Sequence, residues 1–157
     1  VYGGRAEYGD ASSNVINIVG AEINGDVYGG RTTDGDVTGN VINIIGGTIN
    51  GSVYGGSTEN GKAANNIVSW IGGEINGNLC GSAQNTTADE TPLLSQSLTG
   101  SVFTGSSSAL RSTADENSIV STGNTLNMYT SNKSVKGLGG FQNYNFTIPS
   151  GFTAGTL

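Results

Sequence analysis

The sequence predicts an all-β protein folded as a right-handed parallel β-helix (a β-solenoid) of about six coils. Three observations support this prediction. A unit of 26 residues occurs three times in register, and ten of its columns are identical in all three copies. Apolar and polar residues alternate with a period of two inside each unit, as they do in β-strands. Glycine occurs 27 times and strong helix formers are scarce, which disfavours helices.

The three copies of the repeat span residues 1–26, 27–52 and 53–78, and a fourth copy begins at Leu79. Each of the three starts with Val-Tyr-Gly-Gly and nears its end with Ile-Asn-Gly. A unit this short cannot bury its apolar side chains alone, whereas stacked coils can, because each strand pairs with its counterpart in the next coil. Right-handed coiling is expected from the general preference of parallel crossover connections.

Each coil is predicted to contain two main strands. In the first, Val53 faces inward and Tyr54 outward; in the second, residues 40–44, Ile42 and Ile44 face inward. Stacking then aligns equivalent side chains in four inward columns: Ile16, Ile42 and Val68; Ile18, Ile44 and Trp70; Ile23, Ile49 and Ile75; and Val1, Val27, Val53 and Leu79. Residues 31–39 and 57–65 are predicted to be corner loops, because they are polar and differ between coils.

After residue 82 the repeat becomes irregular. Residues 98–105 match the pattern of residues 49–56, which predicts the start of a further coil, with Leu93 and Leu94 in the strand before it. The Ser/Thr-rich stretches nearby are expected to be surface loops and the best place for a distinct binding site. We therefore expect one β-solenoid segment over 1–157, with regular coils over 1–82, irregular coils with long polar loops over 83–123, and C-terminal coils over 124–157.

The C-terminal coils are predicted from three weaker matches. Residues 124–128 match residues 40–44, and residues 135–140 match a shortened Ile-Asn-Gly-x-Val-x-Gly-Gly. Residues 143–148 are expected to open the sixth coil, with three apolar side chains inward: Tyr144, Phe146 and Ile148. Aromatic residues gather here, which favours a wider or end-closing core.

Composition excludes several classes of function. The net charge is −6 and the six Lys and Arg residues form no basic stripe, so nucleic acid is not an expected partner. No apolar run is long enough for a membrane helix, so we expect no membrane insertion of this segment. The chain contains no His, which removes the commonest general base and metal ligand. The single cysteine, Cys80, excludes an internal disulfide.

The repeated Val-Tyr-Gly-Gly after Ile-Asn-Gly, followed later by residues 124–129 and 140–150, resembles the passenger segments of bacterial type V autotransporters. The resemblance implies a β-helical passenger at the surface of a Gram-negative-type cell, anchored by a C-terminal β-barrel in the full-length chain. The sequence opens directly on a repeat, so we expect it to be a fragment of a longer protein. The family includes adhesins, autoaggregation proteins, toxins and proteases, so the resemblance does not fix an activity.

The first candidate site is a group of carboxylates in the variable corner: Asp34 and Asp36, near Glu7, Asp10 and Glu59. Stacked carboxylates can bind a cation or act as an acid and base pair. In the third coil, however, Asn60 and Lys62 replace two of the acids. We therefore interpret the corner as solvated loops and expect neither a metal nor a cofactor.

Nucleophilic catalysis has little support in the sequence. Serines are common, but no Gly-x-Ser-x-Gly elbow is present and no His is available to activate a serine. Carbohydrate-cleaving β-helices generally need acids clustered with Arg or Lys on one strand face. Arg5 and Arg31 fall in one column, but that column lacks acids. We expect no enzyme activity, and a polysaccharide-acting enzyme is the third reading of the function.

The candidate binding surface consists of outward aromatic and basic residues that recur from coil to coil: Tyr2, Tyr28, Tyr54, Arg5 and Arg31. Tyrosines in a column can stack on sugar rings or pair with a protein. The alternative, which we favour, is that they only stabilise the sheet by stacking on one another. Cys80 replaces Tyr in the same column, either as a surface thiol or as a buried, inert one. Asn24, Asn50 and Asn76 are expected to form a structural ladder.

The sequence therefore predicts a non-catalytic, extracellular cell-surface passenger segment for adhesion or autoaggregation. Host-surface glycans, a matrix protein or other copies of the chain are the expected partners. A structural stalk with no ligand of its own is the runner-up. Repeated weak contacts would give such a rod its affinity through avidity rather than through one tight pocket.

Overall fold

The computed structural model describes residues 1–84, 96–99, 102–104, 123–130 and 133–147. The strands of the first three coils lie in the order of the repeat: β1 (Tyr2–Arg5), β2 (Val15–Ile18) and β3 (Glu22–Ile23); β4 (Val27–Thr32), β5 (Val37–Thr38), β6 (Val41–Ile44) and β7 (Thr48–Ile49); β8 (Val53–Thr58), β9 (Ala63–Ala64), β10 (Ile67–Trp70) and β11 (Glu74–Ile75). The later strands are β12 (Leu79–Gln84), β13 (Gln96–Thr99), β14 (Val102–Thr104), β15 (Thr125–Met128), β16 (Lys133–Val135), β17 (Leu138–Gly139) and β18 (Asn143–Phe146).

Equivalent strands of successive coils pair in parallel, which confirms the predicted β-solenoid with its spacing of 26 residues. The first sheet has the strand order β1-β4-β8-β12-β17, the second β2-β6-β10-β15-β18, and the third β3-β7-β11. The register is that of the repeat, since Ile42 lies opposite Ile16 on one side and Val68 on the other. The right-handed sense of the coils stays a prediction.

The inward columns form one continuous core between the sheets, as predicted. Val27, Ile42, Ile44, Ile49 and Val53 are fully buried, and the cluster continues through Leu79 to Leu126 and Leu138. Val1, at the open edge of the first coil, is half exposed. Burying these apolar columns supplies most of the stability of the fold, because a repeat unit has no other interior.

Two glycines in each coil bring the first sheet close to the rest of the coil. A Cβ on Gly29 would overlap the carbonyl oxygen of Gly55 in the next coil and lie 2.9 Å from the Cβ of Asn40. A Cβ on Gly30 would overlap the carbonyl oxygen of Ala11. The two glycines of the Val-Tyr-Gly-Gly motif are therefore required by close approach of the backbone.

An internal column of asparagines, which sequence reasoning missed, joins all the regular coils. Asn14, Asn40, Asn66 and Asn124 each precede a strand of the second sheet, and the last three are fully buried. The Oδ1 of Asn40 accepts from the Nδ2 and the backbone N–H of Asn14, both at 2.9 Å. The Nδ2 of Asn40 donates to the Oδ1 of Asn66 at 2.9 Å and to the carbonyl of Ala11 at 3.0 Å. The three fully buried amides of this inner Asn ladder, those of Asn40, Asn66 and Asn124, are thus hydrogen-bonded through both their oxygen and their nitrogen.

The inner Asn ladder ends at a glutamine. The backbone N–H of Asn124 donates to the Oε1 of Gln142 at 2.9 Å, where a further asparagine would be expected. The Nδ2 of Asn124 donates to the carbonyls of Ala63 and Gly140, each at 3.1 Å. The longer side chain of Gln142 reaches the ladder from an exposed position and closes it.

The prediction for residues 98–105 was wrong. Strands β13 and β14 pair antiparallel with each other, and β13 also pairs antiparallel with β16, so the described residues of this range do not stack as a parallel solenoid coil. The next level above β10 is β15, with Leu126 on Val68, and the next above β12 is β17, with Leu138 on Leu79. Alternation of apolar and polar residues marks a half-buried strand but not its direction, so the pattern fitted both arrangements.

The matches for the C-terminal coils were confirmed, with one difference. Strand β18 pairs in parallel with β15 and places Tyr144 on Leu126 and Phe146 on Met128, as the inward assignment required. It forms the fifth level of the second sheet rather than a sixth coil, because residues 98–105 add none. Phe146 is 49% exposed at this last level. Leu93, Leu94 and Ile148 lie outside the described residues.

The corners predicted as loops contain short strands. Strand β4 extends to Thr32, and β5 pairs in parallel with β9, which buries Val37 and Ala63. The hydroxyl of buried Thr32 donates to the carbonyl of Gly9 at 2.8 Å. Thr58 repeats this contact with the carbonyl of Gly35 at 2.9 Å one coil further on. The corner is therefore part of the stacked structure and not only a variable connection.

Candidate binding surfaces on the solenoid

The first sheet places three tyrosines in one outward column, as predicted. The ring centroids of Tyr2 and Tyr28 are 5.2 Å apart, and those of Tyr28 and Tyr54 are 5.0 Å apart. The rings are nearly parallel, with interplanar angles of 8° and 13°. The face of each ring is therefore turned toward the next tyrosine, and the edge of the stack is turned toward solvent. Such a stack stabilises coil-to-coil packing and offers ring edges rather than faces to a ligand.

Two arginines lie beside the tyrosine stack. The Cζ atoms of Arg5 and Arg31 are 5.3 Å and 5.2 Å from the ring centroids of Tyr2 and Tyr28, within the range of a cation–π contact. Arg5 and Arg31 are register partners in β1 and β4, so two positive charges are stacked on adjacent coils. Within the described residues neither guanidinium forms a salt bridge. We call these five residues the Tyr–Arg strip: Tyr2, Tyr28, Tyr54, Arg5 and Arg31.

Asp26 holds the middle of the strip in place. Its Oδ2 accepts a hydrogen bond from the Tyr28 hydroxyl at 3.2 Å, and its Oδ1 accepts from the backbone N–H of Ser52 at 2.7 Å. Burial, and then the neighbouring Asp26 carboxylate, raises the pKa of Tyr28 to about 12. The hydroxyl therefore stays protonated at neutral pH and remains a donor to Asp26.

The tyrosine column ends at Cys80. This residue lies opposite Tyr54 on one side and Gly139 on the other, and it is partly buried. Burial raises the pKa of the Cys80 thiol to about 12. A thiol that stays protonated at neutral pH is a poor nucleophile, so the structure favours the inert alternative for Cys80.

The acidic corner uses its carboxylates to connect coils. The Oδ1 of Asp10 accepts from the backbone N–H of Asp36 at 2.8 Å, and that of Asp36 accepts from the backbone N–H of Lys62 at 2.9 Å. The Oδ1 of Asp34 accepts from the Nδ2 of Asn60 at 2.8 Å. Glu7 and Glu59 are exposed. In the described part of the chain, no group of three or more His, Cys, Asp and Glu side chains is arranged to hold a metal ion.

The outer face of the second sheet carries exposed apolar columns that sequence reasoning missed. One column, at the corner after the second sheet, consists of Val19, Ile45, Ile71 and Tyr129, which are 69%, 44%, 43% and 49% exposed. A second consists of Val15, Val41 and Ile67, of which Val15 is 61% exposed. Asn17, Asn43, Ser69 and Asn127 form the column between them. The signal was present as the alternating pattern Val-x-Asn-x-Val, but only its inward residues were used.

The predicted outer asparagine ladder is present on the third sheet side. The Nδ2 of Asn50 donates to the Oδ1 of Asn24, and that of Asn76 to the Oδ1 of Asn50, both at 2.8 Å. All three side chains are exposed. This ladder links consecutive coils at the surface, as the inner Asn ladder does in the interior.

Comparison with protein-family models, with curated proteins and with solved structures gives no match for this chain. Among the described residues, no helix has the length and apolar character to cross a membrane. The parallel β-solenoid, with about three regular turns, is therefore established by the strand pairing itself. Membership of the autotransporter family stays a prediction from the sequence resemblance.

Proposed function

We propose that this chain is a non-catalytic, extracellular passenger segment of a bacterial surface protein, which serves adhesion or self-association through the repeated faces of its solenoid. The observation that carries the proposal is the Tyr–Arg strip, because it presents the same two side-chain types on adjacent coils of a stiff rod. A C-terminal β-barrel in the full-length protein would anchor the rod to the outer membrane, in keeping with the sequence resemblance.

The chemistry of the strip favours an anionic ligand. Arg5 and Arg31 stack two like charges, an arrangement that is unfavourable until a counter-charge approaches. Guanidinium groups bind carboxylate and sulfate-like oxygens through paired hydrogen bonds. The middle ring, Tyr28, is covered on both faces by its neighbours, so the strip is poorly suited to stacking on neutral sugars. Sulfated or carboxylated glycans, or an acidic matrix protein, are the ligand classes that fit.

Binding is expected to depend on both arginines. The chain is multimerised on beads and applied to arrays of neutral and anionic glycans, with the variant Arg5→Gln/Arg31→Gln beside it. The matched control, Lys62→Gln/Lys136→Gln, removes the same charge from exposed positions elsewhere. Loss of charge-assisted hydrogen bonds predicts that the arginine variant weakens binding to anionic glycans by about tenfold or more, whereas the control changes it little. Equal losses in the two variants would contradict a role for the strip.

The second candidate is a stalk with no ligand of its own. The stacked tyrosines, the asparagine ladders and the corner aspartates Asp10 and Asp36 all connect one coil to the next, and a purely structural role accounts for them. A multimerised chain that binds neither arrays nor itself at any salt concentration would favour the stalk. Turnover of a polysaccharide by the purified chain would contradict both readings and revive the enzyme reading.

A further inference from the structure

We infer that the outer face of the second sheet is a docking surface for a second copy of this chain. This inference rests on the self-association part of the proposed function and gives it a location. We call the surface the charge-free face: the exposed apolar column that contains Ile45, the partly buried apolar column that begins at exposed Val15, and the Asn column that contains Asn43 between them.

The apolar columns are continuous along the rod. Val19, Ile45, Ile71 and Tyr129 occupy four consecutive levels, and each is at least 43% exposed. Backbone hydrogen bonds from the N–H of Ile45, Ile71 and Tyr129 to the level below keep them in line. This contiguous row of exposed β-branched and aromatic side chains at the corner after the second sheet is an apolar surface patch, and such patches often mark interaction sites.

The distribution of charge favours a second copy as the partner. The chain has a net charge of −6, so two copies repel each other wherever acidic groups face one another. Glu22 and Glu74 lie on the outer side of the third sheet, and Asp34 and Asp36 lie at the corner. The three columns of the charge-free face contain only Val, Ile, Thr, Asn, Ser and Tyr. Two acidic copies can therefore approach through this face without placing like charges in contact.

The pattern of the face is complementary to itself. Apolar columns flank a central Asn column, so a two-fold axis in the plane of the interface brings apolar side chains onto apolar ones and asparagines onto asparagines. The central amides are already paired along the rod, with the Nδ2 of Asn43 donating to the Oδ1 of Asn17 at 2.9 Å and that of Asn145 to the Oδ1 of Asn127 at 2.8 Å. Covering polar groups that already have partners costs less than covering unpaired ones.

The size of the face sets the strength of docking. Four levels at a strand spacing of ~4.8 Å, with five residues across, give roughly 300 Å² per copy. A stable interface buries about 800 Å² per partner, so a single contact is expected to be weak. Many chains on one surface, or a longer rod with more such coils, would add such contacts by avidity. The face thus suits clustering of displayed copies rather than a tight soluble dimer.

The test compares one added lysine at two places on the same coil. Ile45→Lys places a charge in the charge-free face, and Thr48→Lys places it in the outward column of the third sheet, between Glu22 and Glu74. Self-association of the purified chain is measured by sedimentation equilibrium up to millimolar concentration and by clumping of chain-coated beads. Each lysine lowers the net negative charge equally, so general repulsion falls equally in both variants.

We expect Ile45→Lys to weaken self-association by about tenfold or more, because docking would then bury an ammonium group against apolar side chains, while Thr48→Lys leaves self-association intact. Equal effects of the two lysines, or a wild-type chain that neither associates at millimolar concentration nor clumps beads, would overturn the inference. Ile71→Asn, which adds no charge, gives a second reading and is also expected to weaken clumping.

The response to salt concentration distinguishes self-association through the charge-free face from glycan binding by the Tyr–Arg strip. Raising salt screens the net charge of the rod, so docking through the charge-free face is expected to strengthen. Salt weakens the contact between arginines and an anionic glycan. Self-association that fails while arginine-dependent array binding persists would overturn the docking surface alone. If the chain fails to bind glycan arrays but its beads still clump in a way that depends on Ile45, the Tyr–Arg strip is rejected as the adhesive site and the docking surface stands.

Discussion

Trp70 has the largest side chain among the fully buried residues of the core. It belongs to the column of Ile18 and Ile44 and is followed by Met128 at the next level. Its indole N–H donates to the carbonyl of Gly73 at 3.4 Å, so the ring has a polar partner as well as apolar contacts. The change from isoleucine to tryptophan coincides with the last regular coil before the irregular region.

Trp70→Ala is expected to lower the free energy of unfolding by about 3–5 kcal/mol, because a buried ring is lost and a cavity remains between Ile44 and Met128. Ile71→Ala, at the adjacent exposed position, serves as a control and is expected to change stability by about 0.5 kcal/mol or less. Urea denaturation followed by circular dichroism measures both. A midpoint for Trp70→Ala that equals the wild-type value would contradict the burial of this ring.

At the scale of the element, asparagine columns show how one residue type serves two environments. Asn40 is fully buried in the inner Asn ladder, whereas Asn50 is exposed in the outer ladder. Both bond to equivalent residues one coil away, but only the amide of Asn40 is removed from water. Interior hydrogen bonds matter most through the cost of leaving their partners unpaired.

Asn40→Ala is therefore expected to cost about 2–4 kcal/mol, because the backbone N–H and the Nδ2 of Asn14 lose their acceptor and the buried carbonyl of Ala11 loses the Nδ2 donor. Asn50→Ala is expected to cost about 0.5 kcal/mol or less, because water replaces the lost bonds. Thermal unfolding of the two variants, followed at the same protein concentration, measures the difference. Similar losses of stability in the two variants would show that burial does not determine how much each ladder contributes to the free energy of unfolding.

The sequence was enough to predict the strands and their register wherever the repeat is regular. Val53, Ile42 and their equivalents are identified by period and by position in the repeat, because stacking requires equivalent residues to align. The direction of β13 was not predictable, since alternation is the same in parallel and antiparallel strands. The inner Asn ladder was missed because residue type alone does not tell a buried asparagine from an exposed one. The five residues of the Tyr–Arg strip were predicted as a group, but only the structure shows that the tyrosine rings cover one another's faces.

At the scale of the whole molecule, the rod is a stack of levels that depend mainly on their neighbours. Asn40 and Asn66 bond across the usual 26 residues, but Asn66 and Asn124 bond across 58, so 32 additional residues separate the third level from the next. The register nevertheless resumes, with Leu126 on Val68 and Asn127 on Ser69. The pairing of the first three coils is complete without the additional residues.

Deletion of residues 106–122 is therefore expected to leave the first three coils folded. The strand content and the thermal midpoint of the variant should stay close to those of the wild-type chain. The reason is that the strands β1 to β11 pair with one another without any residue of the deleted stretch. If this Ser/Thr-rich stretch holds a distinct site, array binding falls in the same variant. A variant that loses its circular dichroism signal for strands would contradict the independence of the lower coils.

The resumption of register above 32 additional residues has a consequence for how such a protein changes over time. The entropy of closing a flexible loop rises only slowly with its length, by about 0.6 kcal/mol for each doubling. An insertion between these levels therefore costs the rod little, whereas the insertion or deletion of one residue inside a strand moves the following side chains of that strand to the opposite face. New segments can accumulate between β12 and β15, where the antiparallel strands β13 and β14 already lie, while selection maintains the register of the coils. The same stretch is the position at which a foreign peptide would be grafted for display.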